Sequence, residues 1–293
     1  MYSISIGGRY LSLYLSLCRL LCLGLMSLLG ATTMRAQFSS VADSARYVAL
    51  IDSSFTAGSQ GRFEVAERHL SEAIRLVPRH PANALLLNNL GGIQQLQGKT
   101  DAAILSFSAA LERMPDEQTT RLNRARLFAL LGKHQAAITD YSLLIAKNPK
   151  NELYLYQRAM SYMLTAQYDL AASDLSQIIE MNGESLKARL GYALLETARG
   201  NYDEAERLFD YLASKLSKSP EVYEGRARLY HARRMRGYAM RDVERAFELS
   251  RSKPSATLYR LRADILRSAG DEAGAQRDDK LAEQLERQLD PLK

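Results

Sequence analysis

The sequence predicts an all-α protein, a solenoid of about seven helix–turn–helix repeats. Three observations predict this fold class. A skeleton of a glycine, an alanine five residues later and a large apolar residue nine residues later recurs along the chain. It recurs at intervals of 34 to 37 residues, a length typical of one helix–turn–helix unit. Each copy has apolar residues with a period of 3.6, and no segment alternates with period 2.

Each copy of the skeleton begins at a residue that we expect in the turn between two helices. These residues are Gly61, Gly98, Gly132, Ala166, Gly200, Arg234 and Gly270. Glycine suits the turn because it tolerates positive φ. The alanine and the apolar residue lie four positions apart, on one face of the second helix, where the small alanine lets two helices approach closely.

The ends of the second helices also have sequence signals. Pro78, Pro115 and Pro149 should end three of them, because proline cannot continue a helix. Acids near the starts of second helices can cap free amides and meet a favourable helix dipole. These acids are Asp101, Asp169, Asp203 and Asp271.

Residues 1–36 are interpreted as a signal peptide. They hold three arginines and no acid, and a 12-residue apolar run follows Arg19. Small residues precede two cleavage sites, after Ala31 and after Ala36, of which we favour Ala36. An uncleaved membrane anchor and a mitochondrial presequence are alternatives, although the apolar run is shorter than the ~20 residues of a spanning helix.

The rest of the chain is predicted to be a short lead-in, residues 37–46, and a single solenoid domain, residues 47–293, that ends in a capping helix. The cap is amphipathic, with alanines and leucines on one side. These apolar residues are Ala275, Leu281, Ala282, Leu285 and Leu289. Without residues 1–36 the formal net charge falls from +6 to +3, which argues little for nucleic acid.

The repeat closely resembles the tetratricopeptide repeat over roughly residues 47 to 289. The second copy matches the family pattern at Leu90, Gly91, Ala103, Phe107, Ala110 and Pro115. The family's tryptophan in the first helix is absent. The resemblance implies a right-handed α-solenoid whose first helices line a concave groove for a partner peptide or helix. A subset of the family grips C-terminal carboxylates, but Ile51 and Phe55 occupy two of the required positions here.

Catalytic and metal chemistry is not predicted. Both cysteines lie in the signal segment, and the four histidines fall at different repeat positions, where a surface histidine is the expected interpretation. Asp278 and Asp279 should lie on a solvated face. We therefore expect no enzyme activity, no cofactor and no metal. The arginines from Arg226 to Arg236 have three interpretations: structural or solvated side chains, a site for an anionic partner, or a nucleic-acid site.

The resemblance assigns a partner-binding groove to particular side chains. In order along the chain they are Asn88, Gln95, Arg126, Tyr156, Met160, Met163, Lys187, Arg228, His231, Arg260 and Arg267. Aromatic and methionine side chains in the middle suit adaptable partner binding, although neighbouring first helices could instead cover Tyr156 and Met160. The basic C-terminal end suits an acidic segment of the partner.

The sequence thus predicts an exported, non-enzymatic scaffold, in the bacterial periplasm or envelope, that binds protein partners. A solute- or glycan-recognition module and a non-catalytic subunit of an envelope enzyme are the alternatives. We expect no nucleic-acid partner, and membrane contact only through the N-terminal segment.

Overall fold

A computed structural model describes residues 41–250 and 253–289. These ranges contain fourteen α-helices and no strand, as the sequence predicts. The helices are α1 (Val41–Ser59), α2 (Phe63–Leu76), α3 (Asn83–Leu96), α4 (Thr100–Arg113), α5 (Gln118–Leu130), α6 (His134–Lys147), α7 (Glu152–Leu164), α8 (Tyr168–Met181), α9 (Leu186–Arg199), α10 (Tyr202–Lys215), α11 (Pro220–Ala232), α12 (Arg236–Ser250), α13 (Ala256–Ser268) and α14 (Glu272–Leu289). The predicted signal peptide, residues 1–36, lies outside the described residues.

The chain forms two compact units, with the boundary between Leu131 and Gly132. In the N-terminal unit α1 packs against α2 and α3 against α4, and each second helix also contacts the next first helix. In the C-terminal unit the pairs are α7 with α8, α9 with α10, α11 with α12, and α13 with α14. There the first helices α7, α9, α11 and α13 also contact one another in sequence. The single domain over residues 47–293 stays a prediction.

The predicted repeat register is confirmed by backbone geometry. All seven turn residues have positive φ, between 57° and 87°. Ala166 and Arg234 are the two of them that are not glycine, and both carry the steric cost of a left-handed residue with a Cβ. The skeleton alanines that follow five residues later are fully buried: Ala66, Ala103, Ala137, Ala171, Ala205, Ala239 and Ala275.

The apolar residue of the skeleton fills the space between the paired helices. Leu70, Phe107, Leu175, Phe209 and Val243 are at most 1% exposed. A neighbouring first helix leaves room for two of them by means of glycine: the paired helix α3 for Phe107, and α11 of the next repeat for Phe209. A Cβ on Gly91 would lie 2.7 Å from the Phe107 ring, and one on Gly225 would lie 2.6 Å from the Phe209 ring. The core is therefore built from small residues facing large ones.

The helix ends follow the predictions in part. Pro78, Pro115 and Pro149 each stand two residues beyond the end of a second helix, as predicted. Of the four acids, only Asp271 caps a helix, where it accepts a hydrogen bond from the Gly274 amide at 2.8 Å. The other three lie inside the first turns of α4, α8 and α10, which have no side-chain cap. At the helix start these acids therefore act through the helix dipole, and Asp169 and Asp203 also pair with Arg199 and Arg233.

The C-terminal helix α14 is amphipathic, but Leu281 of the predicted apolar side is exposed. Ala275 and Ala282 are fully buried, whereas Leu281 is 40% exposed. The side chain at 281 lies one position before the buried Ala282, so the 3.6-residue period turns it toward solvent. Within the described ranges, no helix combines the length and apolar character needed to cross a membrane.

Candidate partner-binding surface

The predicted groove residues all lie on first helices. In the N-terminal unit Asn88 and Gln95 are on α3 and Arg126 is on α5. Asn88 is 3% exposed and accepts a hydrogen bond from the Asn123 side-chain amide at 3.1 Å. Arg126 is exposed. Asn88 thus joins α3 to α5 and is not open to a partner in this arrangement.

In the C-terminal unit two predicted residues meet at a cleft. The Lys187 ammonium lies 4.3 Å from the centre of the Tyr156 ring, a cation–π contact between α9 and α7. The cleft has a volume of about 200 Å³, and its lining is completed by Glu152, Leu153, Ile178, Ser185 and Ala188. Its walls are mainly apolar and its cation is exposed.

The cleft depends on close packing between α7 and α9. Gly191 on α9 faces two predicted residues on α7: a Cβ there would lie 3.1 Å from the Tyr156 ring and 3.3 Å from the Met160 methyl group. Tyr156, Met160 and Met163 are half-buried. Burial raises the pKa of the Tyr156 phenol, so this side chain is neutral at physiological pH. The neighbouring first helix therefore covers Tyr156 and Met160 in part and leaves part of each accessible.

The basic residues at the C-terminal end already have acidic neighbours. Arg228 pairs with Glu224 at 2.8 Å, one turn away on α11. Arg260 makes two hydrogen bonds to Glu286 of α14, at 2.9 and 2.7 Å. Each arginine is exposed, so a partner carboxylate can reach it but has to compete with the resident acid.

The last two predicted residues lie nearby on the same first helices. Arg267 is exposed and pairs with Asp279 at 2.6 Å and with Asp264 at 3.0 Å. His231, near the end of α11, is half-buried. The predicted groups that the described structure brings into direct contact are thus Tyr156 and Lys187, and Met160 lies with Tyr156 against Gly191 of α9.

Three tetratricopeptide repeat models match the sequence, at residues 49–116, 96–152 and 163–229. A crystal structure of a tetratricopeptide repeat protein from Parabacteroides merdae has a TM-score of 0.78 and 38% identity to this chain. The alignment covers 85% of this chain and 98% of that one. The chain belongs to the tetratricopeptide repeat family.

More distant tetratricopeptide-like structures share the fold. Yeast Tom70 has a TM-score of 0.58 at 17% identity, covering 84% of this chain and 54% of that one. MamA from Desulfovibrio magneticus has a TM-score of 0.52 at 15% identity, covering 58% of this chain and 94% of that one. No curated protein matches the sequence. Tetratricopeptide repeat proteins are generally non-catalytic and bind other proteins, so the fold favours an interaction scaffold.

A set of buried ion pairs in the tetratricopeptide repeats was not predicted. Arg158 donates to both carboxylate oxygens of Asp174, at 2.8 and 2.7 Å. The same two-bond pairing joins Arg226 to Asp242 and Arg262 to Asp278. In every case the acid is 16 residues after the arginine, and its side chain is at most 5% exposed. Each pair joins the two helices of one repeat.

These ion pairs decide two questions that the sequence raised, one about Arg226 and one about Asp278. Arg226 is a structural side chain: burial opposes its charge, but the hydrogen bonds to Asp242 and Asp210 raise its pKa. The prediction that Asp278 lies on a solvated face is wrong, because this carboxylate is buried against Arg262. A sequence signal existed, since arginine recurs at 124, 158 and 226 and aspartate at 140, 174 and 242.

The surface interpretation of His80 is also wrong. His80 is 1% exposed, and its Nδ1 accepts a hydrogen bond from the Ala82 amide at 3.1 Å. Its ring lies 4.8 Å from the ring of Tyr47, which is itself fully buried. In the part of the chain that the structure describes, no three His, Cys, Asp or Glu side chains are placed to hold a metal ion.

Proposed function

We propose that this protein is an exported, non-enzymatic scaffold that binds a segment of a partner protein on the first helices of its C-terminal unit. Its role would lie in the assembly or maintenance of a cell-envelope complex. Membership of the tetratricopeptide repeat family supports the general role of a protein-binding scaffold. The cleft between Tyr156 and Lys187 is the observation that supports this location of the binding site.

The size of the cleft favours a protein side chain over a free solute. Small-molecule sites usually have volumes of roughly 300–1,000 Å³ and bury most of their ligand. The cleft of about 200 Å³ is smaller and open on one side. It suits one apolar side chain of a partner segment, seated between Leu153 and Tyr156.

The charge at the rim adds a preference for an acidic neighbour. Lys187 is exposed, and its ammonium is held over Tyr156 without an ion pair among the described residues. Glu152, which lines the same cleft, accepts a hydrogen bond from Asn182 at 3.2 Å. A carboxylate of the partner, next to the apolar side chain in the cleft, would meet this cation. The exposed Arg228 and Arg260 can extend the same preference, but only by displacing Glu224 and Glu286.

Photo-crosslinking in the native cell tests the location. A photoreactive residue at Leu153, in the cleft, should give a discrete crosslinked partner. The matched control is the same residue at Leu170, which is 48% exposed on the second helix α8. The double variant Tyr156→Ala/Lys187→Ala should abolish the crosslink formed from position 153. Identical products from both positions, or a product that survives the double variant, would contradict a site at the cleft.

Export is tested separately by the mass of the mature protein. The charged start, the 12-residue apolar run and the small residues that follow it support cleavage after Ala36. Protein recovered from the native cell should begin at Gln37. An intact Met1 in a membrane fraction would support the anchor instead.

A further inference from the structure

We propose that Asn182 is a site of spontaneous deamidation, and that this modification weakens the binding of an acidic partner segment at the cleft. Asparagine is one of the chemically labile residues of proteins. Asn182 is the one asparagine of the chain that a glycine follows. The effect on binding rests on the proposed function, whereas the reaction itself does not.

The reaction joins the side chain of Asn182 to the next peptide nitrogen. A base in solution removes the proton of the Gly183 amide, and the nitrogen attacks the side-chain carbonyl carbon of Asn182. Nδ2 takes up a proton and leaves as ammonia, which closes a cyclic imide. Water then opens the imide. Breaking the new carbon–nitrogen bond gives aspartate, whereas breaking the original peptide bond gives isoaspartate, in which the main chain continues through the side-chain carbon.

The local structure leaves the Gly183 nitrogen free of steric hindrance. Asn182 and Gly183 are both exposed and lie between the end of α8 and the start of α9. Gly183 has no Cβ, and one built there would meet a single described atom within 4 Å, the Ile179 carbonyl oxygen at 3.9 Å. The nitrogen can therefore approach the Asn182 side chain without moving a packed neighbour.

Two hydrogen bonds hold the Asn182 side chain in the folded state. Its Oδ1 accepts from the Glu184 amide and its Nδ2 donates to Glu152 Oε1, both at 3.2 Å. Both bonds are exposed and lie at the long end of the normal range, so local fluctuation can open them. The folded protein should therefore react more slowly than an unfolded Asn–Gly peptide, but without global unfolding.

Two other asparagines in turns lack this combination. Asn148 precedes Pro149, whose nitrogen carries no proton. Asn201 is exposed, as Asn182 is, but it precedes Tyr202, whose side chain crowds the attacking nitrogen. Asn201 therefore serves as an internal control for the reaction at Asn182.

Deamidation changes the charge at the rim of the cleft. Glu152 lines the cleft and accepts the hydrogen bond from the Asn182 amide. The product replaces this donor with a second carboxylate, so the two groups repel each other. A negative charge added next to Glu152 also opposes the approach of a partner carboxylate to Lys187. The aspartate product thus disfavours an acidic partner segment.

The isoaspartate product also changes the backbone, because it adds one carbon to the main chain between α8 and α9. In this turn the Ser185 hydroxyl accepts from the Ala188 amide at 3.4 Å and caps the start of α9. A longer turn shifts Ser185 and Lys187 relative to Ile178 on α8, and all three residues line the cleft. The arrangement that binds the partner is therefore lost.

Mass spectrometry of the aged protein tests the reaction. Purified full-length protein is kept at mildly alkaline pH in water labelled with heavy oxygen, and circular dichroism confirms that it stays folded. The peptide that contains Asn182 should lose ammonia and gain the label, at least tenfold faster than the peptide that contains Asn201. Gly183→Ala should slow the reaction at least tenfold. Alanine fits there, because Gly183 has no positive φ and a Cβ has room.

The variant Asn182→Asp tests the effect on binding. With the photoreactive residue at position 153, it should reduce the crosslink yield at least threefold. The control Asn201→Asp adds the same charge at the turn between α9 and α10, and its yield should stay within about twofold of wild type.

Two groups of results would overturn the proposal. An unlabelled Asn182 in the aged protein, or an equal rate in Gly183→Ala, would exclude the reaction. Equal crosslink yields in Asn182→Asp and wild type would exclude the effect on binding but leave the proposed site intact. If wild type gives no crosslink from position 153, the proposed function and the effect on binding both fail, and the mass spectrum alone decides the reaction.

Discussion

The two units of this tetratricopeptide repeat protein bury polar side chains in different chemical forms. The N-terminal unit buries neutral groups, among them His80, Asn83 and Gln94. The C-terminal unit buries carboxylates and holds several of them against an arginine, as in Arg158–Asp174 and Arg226–Asp242. Both solutions give hydrogen-bond partners to side chains that would be costly to bury alone, such as Asn83 and Asp174.

Equivalent repeat positions make the comparison direct. Arg158 and Asp174 stand eight residues before and eight residues after the turn residue Ala166. The same two positions around Gly98 hold Leu90 and Ser106. Leu90 is buried, and the Ser106 hydroxyl donates to the Gln94 side chain at 2.7 Å. The turn and the small residues fix the backbone of the repeat, so these two positions accept either an ion pair or an apolar and neutral pair.

Breaking one ion pair should have the largest effect. Asp174→Ala leaves Arg158 largely buried without its carboxylate, and we expect a loss of about 3 kcal/mol in the free energy of unfolding. The double variant Arg158→Leu/Asp174→Ser copies the N-terminal solution and should lie within about 1 kcal/mol of wild type, because no charge remains buried. Denaturant unfolding measures both.

A surface carboxylate provides the control for these two variants. Asp210 also pairs with Arg226, at 2.8 Å, but its side chain is 60% exposed. Asp210→Ala should cost less than about 1 kcal/mol. If the double variant is as unstable as Asp174→Ala alone, the two solutions are not interchangeable and the comparison fails.

The neutral cluster of the N-terminal unit should respond to the loss of one hydroxyl. Tyr47 donates a hydrogen bond to the Asn83 side-chain oxygen at 2.7 Å, and both residues are fully buried. Tyr47→Phe leaves this oxygen without its donor and should cost about 1–2 kcal/mol. Thr56→Val removes an exposed hydrogen bond in the same helix and should change stability by no more than about 0.5 kcal/mol. Equal losses would show that the cluster adds nothing to ordinary side-chain packing.

The same cluster should make stability depend on pH. Burial lowers the pKa of His80 below its ordinary value of 6.5. The unfolded chain then binds this proton more readily than the folded chain, so the stabilisation is complete above about pH 6.5 and is lost as the pH falls below it. Thermal unfolding at pH 7.5 and pH 5 should show a larger drop for wild type than for His80→Gln. The other three histidines are the same in both proteins, and an identical drop would exclude His80 as the cause.

The smallest effects should come from the turns. The N-terminal unit has glycine at the turns of its two complete helix pairs, Gly61 and Gly98, whereas the C-terminal unit also places Ala166 and Arg234 at positive φ. Ala166→Gly and Arg234→Gly should each stabilise by about 0.5–1 kcal/mol, since relief of the steric cost exceeds the entropy that glycine loses. Gly200→Ala should destabilise by a similar amount.

The fold could be predicted because its signals are local. A turn glycine and an alanine five residues later report on one tight helix contact, and that contact recurs in each repeat. The buried arginine–aspartate pairs were missed because the two residues stand on different helices and the repeat skeleton records only small and apolar positions. Their 34-residue recurrence was nevertheless present in the sequence.

The candidate site was predictable as a set of helix faces but not as a set of contacts. Tyr156 and Lys187 were both assigned to the groove, yet their stacking depends on Gly191, which lets α9 approach α7. The pairing of Arg260 with Glu286 depends on the reach of two long side chains across 26 residues. Repeat position alone does not fix such rotamers.

The affinity of the crosslinked partner for two matched double variants tests the proposed function most directly. Tyr156→Ala/Lys187→Ala removes the ring and the cation of the cleft, and affinity should fall at least tenfold. Arg228→Gln/Arg260→Gln removes two arginines that already have acidic neighbours, and affinity should fall less than fivefold, with the loss shrinking at high salt. Unchanged affinity in the cleft variant, with folding intact, would contradict a partner site between α7 and α9.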